Sequence, residues 1–310
     1  MANKTMQAIQ ASDYGDPDVL VLNSAPRPEP KDGEVLIRVK ASGVNPADWN
    51  YRSGAYKQFM PLQFPWTPGL EGSGVVEAVG TNVTSFKKGD EIYGNLKASY
   101  AEYTVTSEHE LGIKPKSITF DEAAAVPMGA LVAWQALIEK ADLQAGQRVL
   151  VHGAAGGVGV YVVQLAKWKG AHVIGTASAS NVDFLRSLGV ETVIDYNKNP
   201  FETVVHDADV VIDTVGGDLP ERSFQVLKRG GVFVTIAARL LENAGQQQGV
   251  RAMSSARASA DKLQTISELI ESKKLKPVVG KVFSLADASK AHELSQTRHG
   301  RGRIVLHVAE

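Results

Sequence analysis

Glycines at a fixed spacing between positions 153 and 159 are the residues that point most directly to a chemical role. Gly153, Gly156 and Gly159 give the spacing G-x-x-G-x-x-G, and the last two also complete G-x-G-x-x-G with Ala154 in the first position. Such a turn exposes backbone N–H groups at the start of a helix, where the helix dipole adds positive potential. A pyrophosphate group fits there. A flexible loop without a ligand is the alternative for the glycines taken alone.

The flanking residues predict the elements that would position this turn. The aliphatic run 149–151 is typical of a strand buried on both faces of a sheet. Aliphatic residues then recur at helical spacing from 158 to 166, and Gly170 can end a helix in a left-handed conformation. We therefore expect strand, tight turn and helix in succession, and this context favours a phosphate-binding turn over a free loop.

Composition narrows the class of protein. The 310 residues, 44% of them hydrophobic, suffice for two domains. With 33 basic and 34 acidic residues, no patch for nucleic acid or an anionic membrane is expected, and the lack of cysteine excludes disulfides, thiolate metal sites and a cysteine nucleophile. The N-terminus has no apolar signal core, and the longest uncharged apolar stretch, 123–138, is shorter than the ~20 residues of a membrane span. A cytoplasmic enzyme is the expectation.

The pattern of elements changes near residue 120. Up to about residue 114, short alternating strands separated by Gly, Pro and Asp predict an all-β module, with strands at 35–41, 74–79, 91–93 and 100–105. The segment 114–120 is expected to be a hinge. A helix over 121–141, kinked by Pro127, should follow it.

From residue 148 onward, strands and helices alternate, which predicts a parallel sheet with right-handed crossovers. The helix after the second strand is expected to have Ser180 as its N-cap, with Asp183 three residues further on. After Pro277 we expect a strand, a helix and a last strand. The expected strands are 172–176, 192–196, 208–213, 231–237, 250–255 and 303–308, and the expected helices include 219–227, 259–272 and 286–296.

Six motifs in one order carry a family resemblance over nearly the whole chain: GVNPADWNYRSGAY, PGLEGSGVVEAVG, KKGDEIYG, AAAVPMGALVAWQAL, VLVHGAAGGVGVYVVQLAK and GRIVLHV. With them the chain resembles the zinc-independent, zeta-crystallin-like quinone oxidoreductases of the medium-chain dehydrogenase/reductase superfamily. The resemblance implies an α/β fold in which a GroES-like β module, residues 1–120 and 275–310, is wrapped around a doubly wound Rossmann NADP-binding domain, residues 121–274. The active site would lie in the cleft between them.

The resemblance also implies an activity and an assembly. The activity is NADPH-dependent reduction of quinones or α,β-unsaturated carbonyl compounds by hydride transfer, with a small molecule as partner and neither nucleic acid nor membrane involved. The assembly is a homodimer that pairs sheet edges near residues 250–255. Two alternatives stay open, namely a zinc-free alcohol or aldehyde oxidoreductase and a non-catalytic NADPH-binding protein.

The residues at the zinc-ligand positions of the superfamily are not metal donors here. Asn45 stands where zinc members have a cysteine, and Leu70 stands where they have a histidine. A catalytic zinc needs three protein donors, so Asp48 and Glu71 alone are too few. We expect no metal, and without a metal to polarise a carbonyl the alcohol dehydrogenase alternative is disfavoured.

The residues after the glycine-rich turn favour NADP over NAD. No acid lies between the last glycine of the turn and Asp183, where NAD enzymes have the residue that binds the ribose 2′-hydroxyl. Ser178, Ser180 and Asn181 offer neutral donors instead, and Tyr196 resembles a family tyrosine. The lysine that the family often has at the Asn181 position is missing. The alternative is that these are only turn and N-cap residues.

Asn45, Asp48 and Tyr51 are the candidate catalytic residues, in a loop that the resemblance places under the nicotinamide. Asn45 can hydrogen-bond a carbonyl or the cofactor, and Tyr51 is a candidate proton donor. Turn chemistry is the alternative for Asn45 and Asp48, and packing at the domain edge explains Tyr51 equally well. Three aromatic residues are candidates for an apolar substrate cleft, with core packing as the commoner case: Trp49, Tyr56 and Phe59.

The candidate cofactor contacts lie at the glycine-rich turn, at strand ends and near the C-terminus. His152, although it lies in the phosphate loop, is a poor candidate for a base. Val132 stands where family members often have a threonine beside the nicotinamide. The full set is Val132, Gly153, Ala154, Ala155, Gly156, Gly157, Val158, Gly159, Thr176, Ser178, Ser180, Asn181, Tyr196, Thr214, Val215, Gly216, Ile236, Ala237, Ala238, Arg239, Arg301 and Arg303.

Overall fold

The computed structural model of the protein describes residues 4–309, and over these residues the backbone forms sheets of two, six and seven strands. The N-terminal part is rich in β-structure, as predicted, although the strand expected at 100–105 begins three residues later. Its elements are β1 (Thr5–Gln10), β2 (Val21–Pro26), β3 (Glu34–Val44), α1 (Pro46–Arg52), β4 (Gly72–Val79), β5 (Glu91–Gly94), β6 (Tyr103–Ser107) and β7 (Leu111–Ile113).

The segment expected to form one kinked helix over 121–141 is divided. The helices α2 (Phe120–Ala124) and α3 (Pro127–Trp134) are separate, and a π-helical segment, Gln135–Lys140, follows α3. Pro127 occupies the first turn of α3, where a backbone N–H group would have no acceptor within the helix, so the lack of this group in proline costs nothing. The expectation of a kink was therefore wrong, because proline starts a helix more readily than it bends one.

The next part forms the six-stranded sheet, in the order β10-β9-β8-β11-β12-β13 with every neighbouring pair parallel. The strand order reverses between β8 and β11, and ligands of such sheets bind at the carboxyl ends of the strands at this switch point. The elements are β8 (Arg148–His152), α4 (Gly159–Trp168), β9 (His172–Ala177), α5 (Val182–Ser187), β10 (Thr192–Asp195), β11 (Ala208–Asp213), α6 (Leu219–Phe224), β12 (Leu227–Thr235), β13 (Arg251–Ser254) and α7 (Lys262–Glu271).

Successive side chains of β8 lie on opposite faces of this sheet, and both faces are buried. Val149 and Val151 are fully buried in a cluster with residues of α3, α4 and α7, whereas Leu150 is buried on the opposite face. The second face is covered by a separate cluster that includes Phe201 and Phe233. A strand buried on both faces needs apolar side chains at consecutive positions, which explains why residues 149–151 are all aliphatic.

The C-terminal segment returns to the N-terminal strands through β14 (Val279–Ser284), α8 (Ala288–Gln296) and β15 (Arg303–His307). The seven-stranded sheet has the order β14-β15-β3-β4-β5-β7, with β6 also paired to β3. β15 pairs antiparallel with β3, and Ile304 is opposite Val44. This register brings Arg303 to the end of β3 at which α1 begins. The predicted α/β fold class, a β-rich module beside a doubly wound parallel sheet, is confirmed.

Besides the helices and strands, residues 4–309 include six short 3-10 turns. Within this range no helix is both long and apolar enough to cross a membrane. The short 3-10 turns of this range are Pro17–Val19, Glu108–Glu110, Ala179–Asn181, Phe201–Thr203, Gln246–Gln248 and Leu285–Asp287.

Candidate active site

The glycine-rich turn joins the carboxyl end of β8 to α4, and sterics require its glycines. Gly153 has a φ of 68°, and a Cβ atom there would lie 2.5 Å from Thr214 Oγ1. A Cβ atom at Gly159 would lie 2.2 Å from the carbonyl oxygen of Gly153, so the first turn of α4 packs directly on the end of the strand. The backbone is therefore bare at the edge of the sheet, as an approaching pyrophosphate requires.

The predicted contacts at the ends of β11 and β12 converge on the same edge. Asp213 Oδ1 accepts hydrogen bonds from the N–H groups of Val215 and Gly216, both at 2.9 Å, and Asp213 Oδ2 accepts one from Thr235 Oγ1. Thr235 Oγ1 in turn accepts from the backbone of residues 237 and 238 at 3.1 Å. One buried carboxylate thus shapes both loops, and it holds the segments 214–216 and 236–239 side by side.

The candidate ribose-binding residues follow β9. Asn181 Nδ2 donates to Ser178 Oγ at 3.2 Å, and the hydroxyls of Ser178 and Ser180 lie 3.2 Å apart. The expectation that Ser180 caps the next helix was wrong, because a 3-10 turn intervenes and α5 begins at Val182 with Asn181 in the N-cap position. Arg301, from the segment before β15, contacts this loop. Tyr196, next to the end of β10, is half exposed.

His152 has a structural environment. Its ring is buried, Nε2 lies 3.0 Å from Ser223 Oγ and Nδ1 lies 3.3 Å from Thr176 Oγ1. Burial lowers its pKa to about 4, so the ring is neutral over the physiological range. Thr176 Oγ1 also accepts a long hydrogen bond from the N–H group of Gly153, at 3.4 Å. These contacts are consistent with the expectation that His152 is a poor base.

A buried cluster of polar side chains lies where β3, β4 and β15 meet; we call Asn45, Glu71 and Arg303 the Glu71 cluster. Glu71 Oε1 accepts hydrogen bonds from Asn45 Nδ2, at 2.9 Å, and from Arg303 Nη2, which also forms an ion pair with it. Arg303 Nη2 donates to Asn45 Oδ1 at 2.8 Å. All three residues are at least 96% buried.

The Glu71 cluster also contacts elements of the dinucleotide side. Glu71 Oε2 accepts the N–H group of Met128 at 2.7 Å, in the first turn of α3. A Cβ atom at Gly157 would lie 3.2 Å from Arg303 Nη1, and one at Gly129 would lie 2.7 Å from the carbonyl oxygen of Gly157. The predicted contacts Arg303 and Gly157 are therefore brought together beside the glycine-rich turn, and Val132 lies one turn further along α3.

Asp48 is fully buried behind Asn45. Its Oδ2 atom accepts the N–H group of Asn45 at 2.8 Å, its Oδ1 atom accepts that of Gly69 at 3.2 Å, and Tyr100 donates to it at 3.4 Å. Burial raises the pKa of this carboxyl to about 7, and the nearby Glu71 adds to the shift. The turn chemistry considered for Asn45 and Asp48 is present, because Asn45 is the N-cap residue of α1 and Asp48 accepts its N–H group. The side chain of Asn45 also belongs to the Glu71 cluster.

Tyr51 lines an apolar cavity of about 260 Å³ next to the PGLEG segment. Its hydroxyl lies 3.2 Å from Met60 Sδ, and its ring lies 6.4 Å from that of Trp66. Of the three aromatic candidates for a substrate cleft, Trp49 is 91% buried and donates to Ser295 Oγ, while Tyr56 packs edge-on against Tyr51. Phe59 is 82% exposed. The cavity is also lined by Pro61, Leu62, Thr67, Gly69, Leu70, Lys97 and Ala98.

The donor set does not suit zinc at the position that other superfamily members use. Asn45 offers an amide, Leu70 offers no donor, and the carboxylate of Glu71 is already paired with Arg303. Within residues 4–309 no group of three or more His, Cys, Asp or Glu side chains is arranged to hold a metal ion.

Two residues of this site are absent from the predicted set. Glu71 has a signal in the sequence, since it is a lone acid between glycines at the start of an apolar strand and such a residue needs a buried partner. Asp213 has a weaker signal in the sequence. It is the last residue of a buried strand, and an aspartate at the start of the following turn is common without any role in a site. The partner of Glu71, Arg303, lies 232 positions away, and no spacing rule connects the two.

Comparisons with known proteins agree with this architecture. Residues 31–136 match the family model of the alcohol dehydrogenase GroES-like domain, and residues 188–306 match that of zinc-binding dehydrogenases. The chain is 37% identical to the NADPH-dependent alkenal/one oxidoreductase of Arabidopsis thaliana, over 98% of this chain and 80% of the relative. It is 32% identical to a quinone oxidoreductase of Sus scrofa, over 98% of both chains.

The fold is likewise that of a solved relative. The quinone oxidoreductase from Coxiella burnetii superimposes with a TM-score of 0.92 at 34% identity, covering 99% of this chain and 100% of that one. The β-rich module is thus of the GroES-like type and the parallel sheet is of the Rossmann type. The chain belongs to the quinone oxidoreductase family of the medium-chain dehydrogenase/reductase superfamily.

Proposed function

We propose that the protein is an NADPH-dependent reductase of quinones or α,β-unsaturated carbonyl compounds. The relatives named as quinone and alkenal/one oxidoreductases support this activity. The observation that carries it is the closeness of two features: the cavity beside Tyr51 is lined by Leu70, the neighbour of Glu71 in the chain, and the Glu71 cluster approaches the glycine-rich turn through Arg303 and Gly157. An apolar acceptor and a dinucleotide would therefore meet beside Asn45.

The glycine-rich turn fits NADPH, because its glycines carry no side chain that would cover the backbone N–H groups at the start of α4. When bound, NADPH supplies the hydride. The N–H groups at the start of α4 would hold the pyrophosphate, with Arg303 next to Gly157 as a cationic neighbour. The loops 214–216 and 236–239 would line the nicotinamide side, and Val132 of α3 is a further proposed contact of the nicotinamide.

Asn45 and Tyr51 are the proposed catalytic residues. Asn45 Nδ2 carries two hydrogens and Glu71 takes one, which leaves the second to stabilise negative charge on the oxygen of the acceptor. Partial burial raises the pKa of Tyr51, which keeps its phenol protonated and able to donate. Asp48 is proposed to act by positioning, since its carboxyl holds the backbone of residues 45 and 69 from behind.

An assay of NADPH oxidation by the purified protein tests this function with a panel of quinones, enones and saturated aldehydes. Turnover of quinones or enones, with little turnover of saturated aldehydes, is expected, because Asn45 and Leu70 stand at the zinc-ligand positions and do not suit a metal that would polarise an isolated carbonyl. Turnover of saturated aldehydes alone would favour the alcohol or aldehyde oxidoreductase. Tight NADPH binding with no turnover of any acceptor would favour a non-catalytic NADPH-binding protein.

We also propose the domain division and the assembly expected above. Residues 1–120 and 275–310 would form the GroES-like unit and residues 121–274 the NADP-binding unit, which agrees with the membership of β14 and β15 in the seven-stranded sheet. The homodimer would form through β13, which lies at an edge of the six-stranded sheet. A cytoplasmic location is part of the proposal, and cell fractionation tests it.

A further inference from the structure

The cavity beside Tyr51 combines an apolar lining with a single charged side chain. Tyr51, Met60 and Trp66 supply apolar surface, whereas Lys97 is the one residue with a formal charge among those that line this cavity within residues 4–309. In a mostly apolar pocket, a few polar groups fix the orientation of the ligand and give specificity. Lys97 is therefore a candidate for binding a charged part of the acceptor.

The backbone that carries Lys97 is fixed to the PGLEG segment. Lys97 lies in the loop between β5 and β6. On one side of it the N–H group of Leu96 donates to the carbonyl oxygen of Leu70 at 3.1 Å, and on the other side the N–H group of Tyr100 donates to that of Pro68 at 3.1 Å. The loop is thus held on both sides of Lys97 to the segment that leads into the Glu71 cluster.

The charge of Lys97 is not neutralised by the part of the chain that the structure describes. Its side chain is exposed and forms no ion pair or hydrogen bond within residues 4–309. Glu71 is already paired with Arg303, and Asp48 is fully buried and accepts backbone N–H groups of residues 45 and 69. Because the lysine stem is apolar and the ammonium is strongly hydrated, the stem can cover the lining while the charge stays at the mouth of the cavity.

We propose that Lys97 determines specificity by binding an anionic group of the acceptor, so that the preferred substrates are enones or quinones that carry a carboxylate or another anionic substituent. This inference rests on the proposed function and names the substrate class of that site. The apolar part of the acceptor would lie against Tyr51 and Trp66, with its anionic group beside Lys97. The anionic group does not react: the hydride from NADPH adds to the β carbon of the enone, and a proton from Tyr51 or solvent adds to the α carbon.

The test compares reduction of 6-oxohept-4-enoate and of its methyl ester, two enones with the same reacting group and a charged or a neutral far end. Lys97→Gln should lower kcat/KM for the carboxylate about 10-fold, chiefly by raising KM, because a charge-assisted contact is lost, and should change that for the ester by less than about 2-fold. Lys31→Gln is the matched control, because Lys31 is an exposed lysine of the same β-rich module that does not line the cavity. It should leave both values unchanged.

A second variant and a salt series separate charge recognition from the shape of the cavity. Lys97→Arg keeps the charge and should retain the preference of the wild type for the carboxylate, and added salt should reduce that preference by screening. If Lys97→Gln lowers kcat/KM equally for the two enones, Lys97 merely shapes the cavity and the inference is wrong. If it changes neither value, or if the wild type reduces simple quinones but not the carboxylate, the inference also fails although the proposed function stands. If the wild type reduces neither quinones nor enones, the proposed function itself fails.

Discussion

At the scale of single residues, the Glu71 cluster connects a buried ion pair, Glu71 and Arg303, to Asn45, which is a proposed catalytic residue. A buried carboxylate and guanidinium are costly to desolvate. Their mutual attraction offsets this cost only when their geometry is good and further hydrogen bonds satisfy their remaining polar atoms. Asn45 is shared between Glu71 and Arg303, and this fixes the amide in one orientation. A donor fixed before the reaction begins contributes more to the transition state than one that must be ordered during it.

Asn45→Ala is therefore expected to lower kcat/KM for an enone about 100-fold, the effect of removing one oxyanion donor in a dry site. Stopped assays of enone reduction measure it. Asn50→Ala is the control, because Asn50 lies on the same helix and its amide donates to the carbonyl of Pro46 at 2.9 Å outside the cluster. Wild-type kcat/KM in Asn45→Ala, and also in Asn45→Ala/Tyr51→Phe, would remove both residues from the reaction and leave positioning of the reactants as the main contribution.

The buried carboxyl of Asp48 predicts a pH dependence of stability. Its pKa is raised from 3.8 to about 7, chiefly by burial, with Glu71 adding to the shift and Arg303 opposing it. The folded state then binds a proton that the unfolded state releases between pH 4 and pH 7. The stability contributed by this carboxyl therefore falls as the pH rises through that window, by up to about 4 kcal/mol.

Denaturant unfolding of wild type and Asp48→Asn between pH 4 and pH 8 measures this effect. The free energy of unfolding of wild type, minus that of the variant, should decrease between pH 4 and pH 7 by up to about 4 kcal/mol. Asp13→Asn, at an exposed position near the N-terminus, serves as the control. A constant difference between wild type and Asp48→Asn would show that folding does not raise the pKa of this carboxyl.

At the scale of elements, the strand–turn–helix unit from β8 to α4 is the part that a nucleotide would contact. The turn combines a positive φ at Gly153 with close packing of Gly159 on the end of the strand. Each requirement excludes a side chain for a different reason: the first is a backbone conformation and the second is a steric contact. A side chain at either of these two positions would therefore strain the backbone or clash with it.

Gly153→Ala should weaken NADPH binding at least ~10-fold, because the new methyl group would displace Thr214 at the cofactor edge while the backbone strain costs about 1–2 kcal/mol. Gly230→Ala is a matched control: Gly230 also has a positive φ, 80°, and no atom lies within 4 Å of the position that its new methyl group would take. Both variants should lose stability in thermal melts, and only the first should lose affinity. Equal affinity for NADPH in both would contradict the assignment of this turn.

At the scale of the whole molecule, the proposed homodimer would use the edge of the six-stranded sheet that β13 forms. β13 pairs with β12 through residues 251–254, and its other edge meets no strand among the described residues. A bare edge strand is an association hazard that proteins normally cover. A symmetric pairing of two such edges would cover it.

Light scattering at micromolar concentration should therefore give the mass of a dimer, twice the 33.2 kDa of one chain. Hydrogen exchange should show protection of backbone amides in residues 250–255 that disappears on dilution to the monomer. A monomer at all concentrations tested, with these amides exchanging freely, would contradict the proposed assembly.

Local patterns in the sequence were sufficient for much of the fold. The run 149–151, the glycine spacing and the helical periodicity after it predict β8, the turn and α4, because backbone conformation and burial period are properties of neighbouring residues. The same rules predicted β11 at its observed bounds and β13 within one residue at each end. The same rules failed at Pro127, which begins a helix and does not kink one, and at Ser180, which lies in a 3-10 turn before α5. At both positions neighbouring residues permit either conformation, and tertiary packing decides between them.

The tertiary structure alone decided which side chains meet. Asn45 and Arg303 are 258 positions apart and Asn181 and Arg301 are 120 apart, and each pair is joined by the return of β15 to the edge of β3. The sequence could name these residues as candidates one by one, because each has a suitable chemical type. It could not pair them, because a contact between distant residues depends on strand order and register, and these are set by burial of the whole sheet.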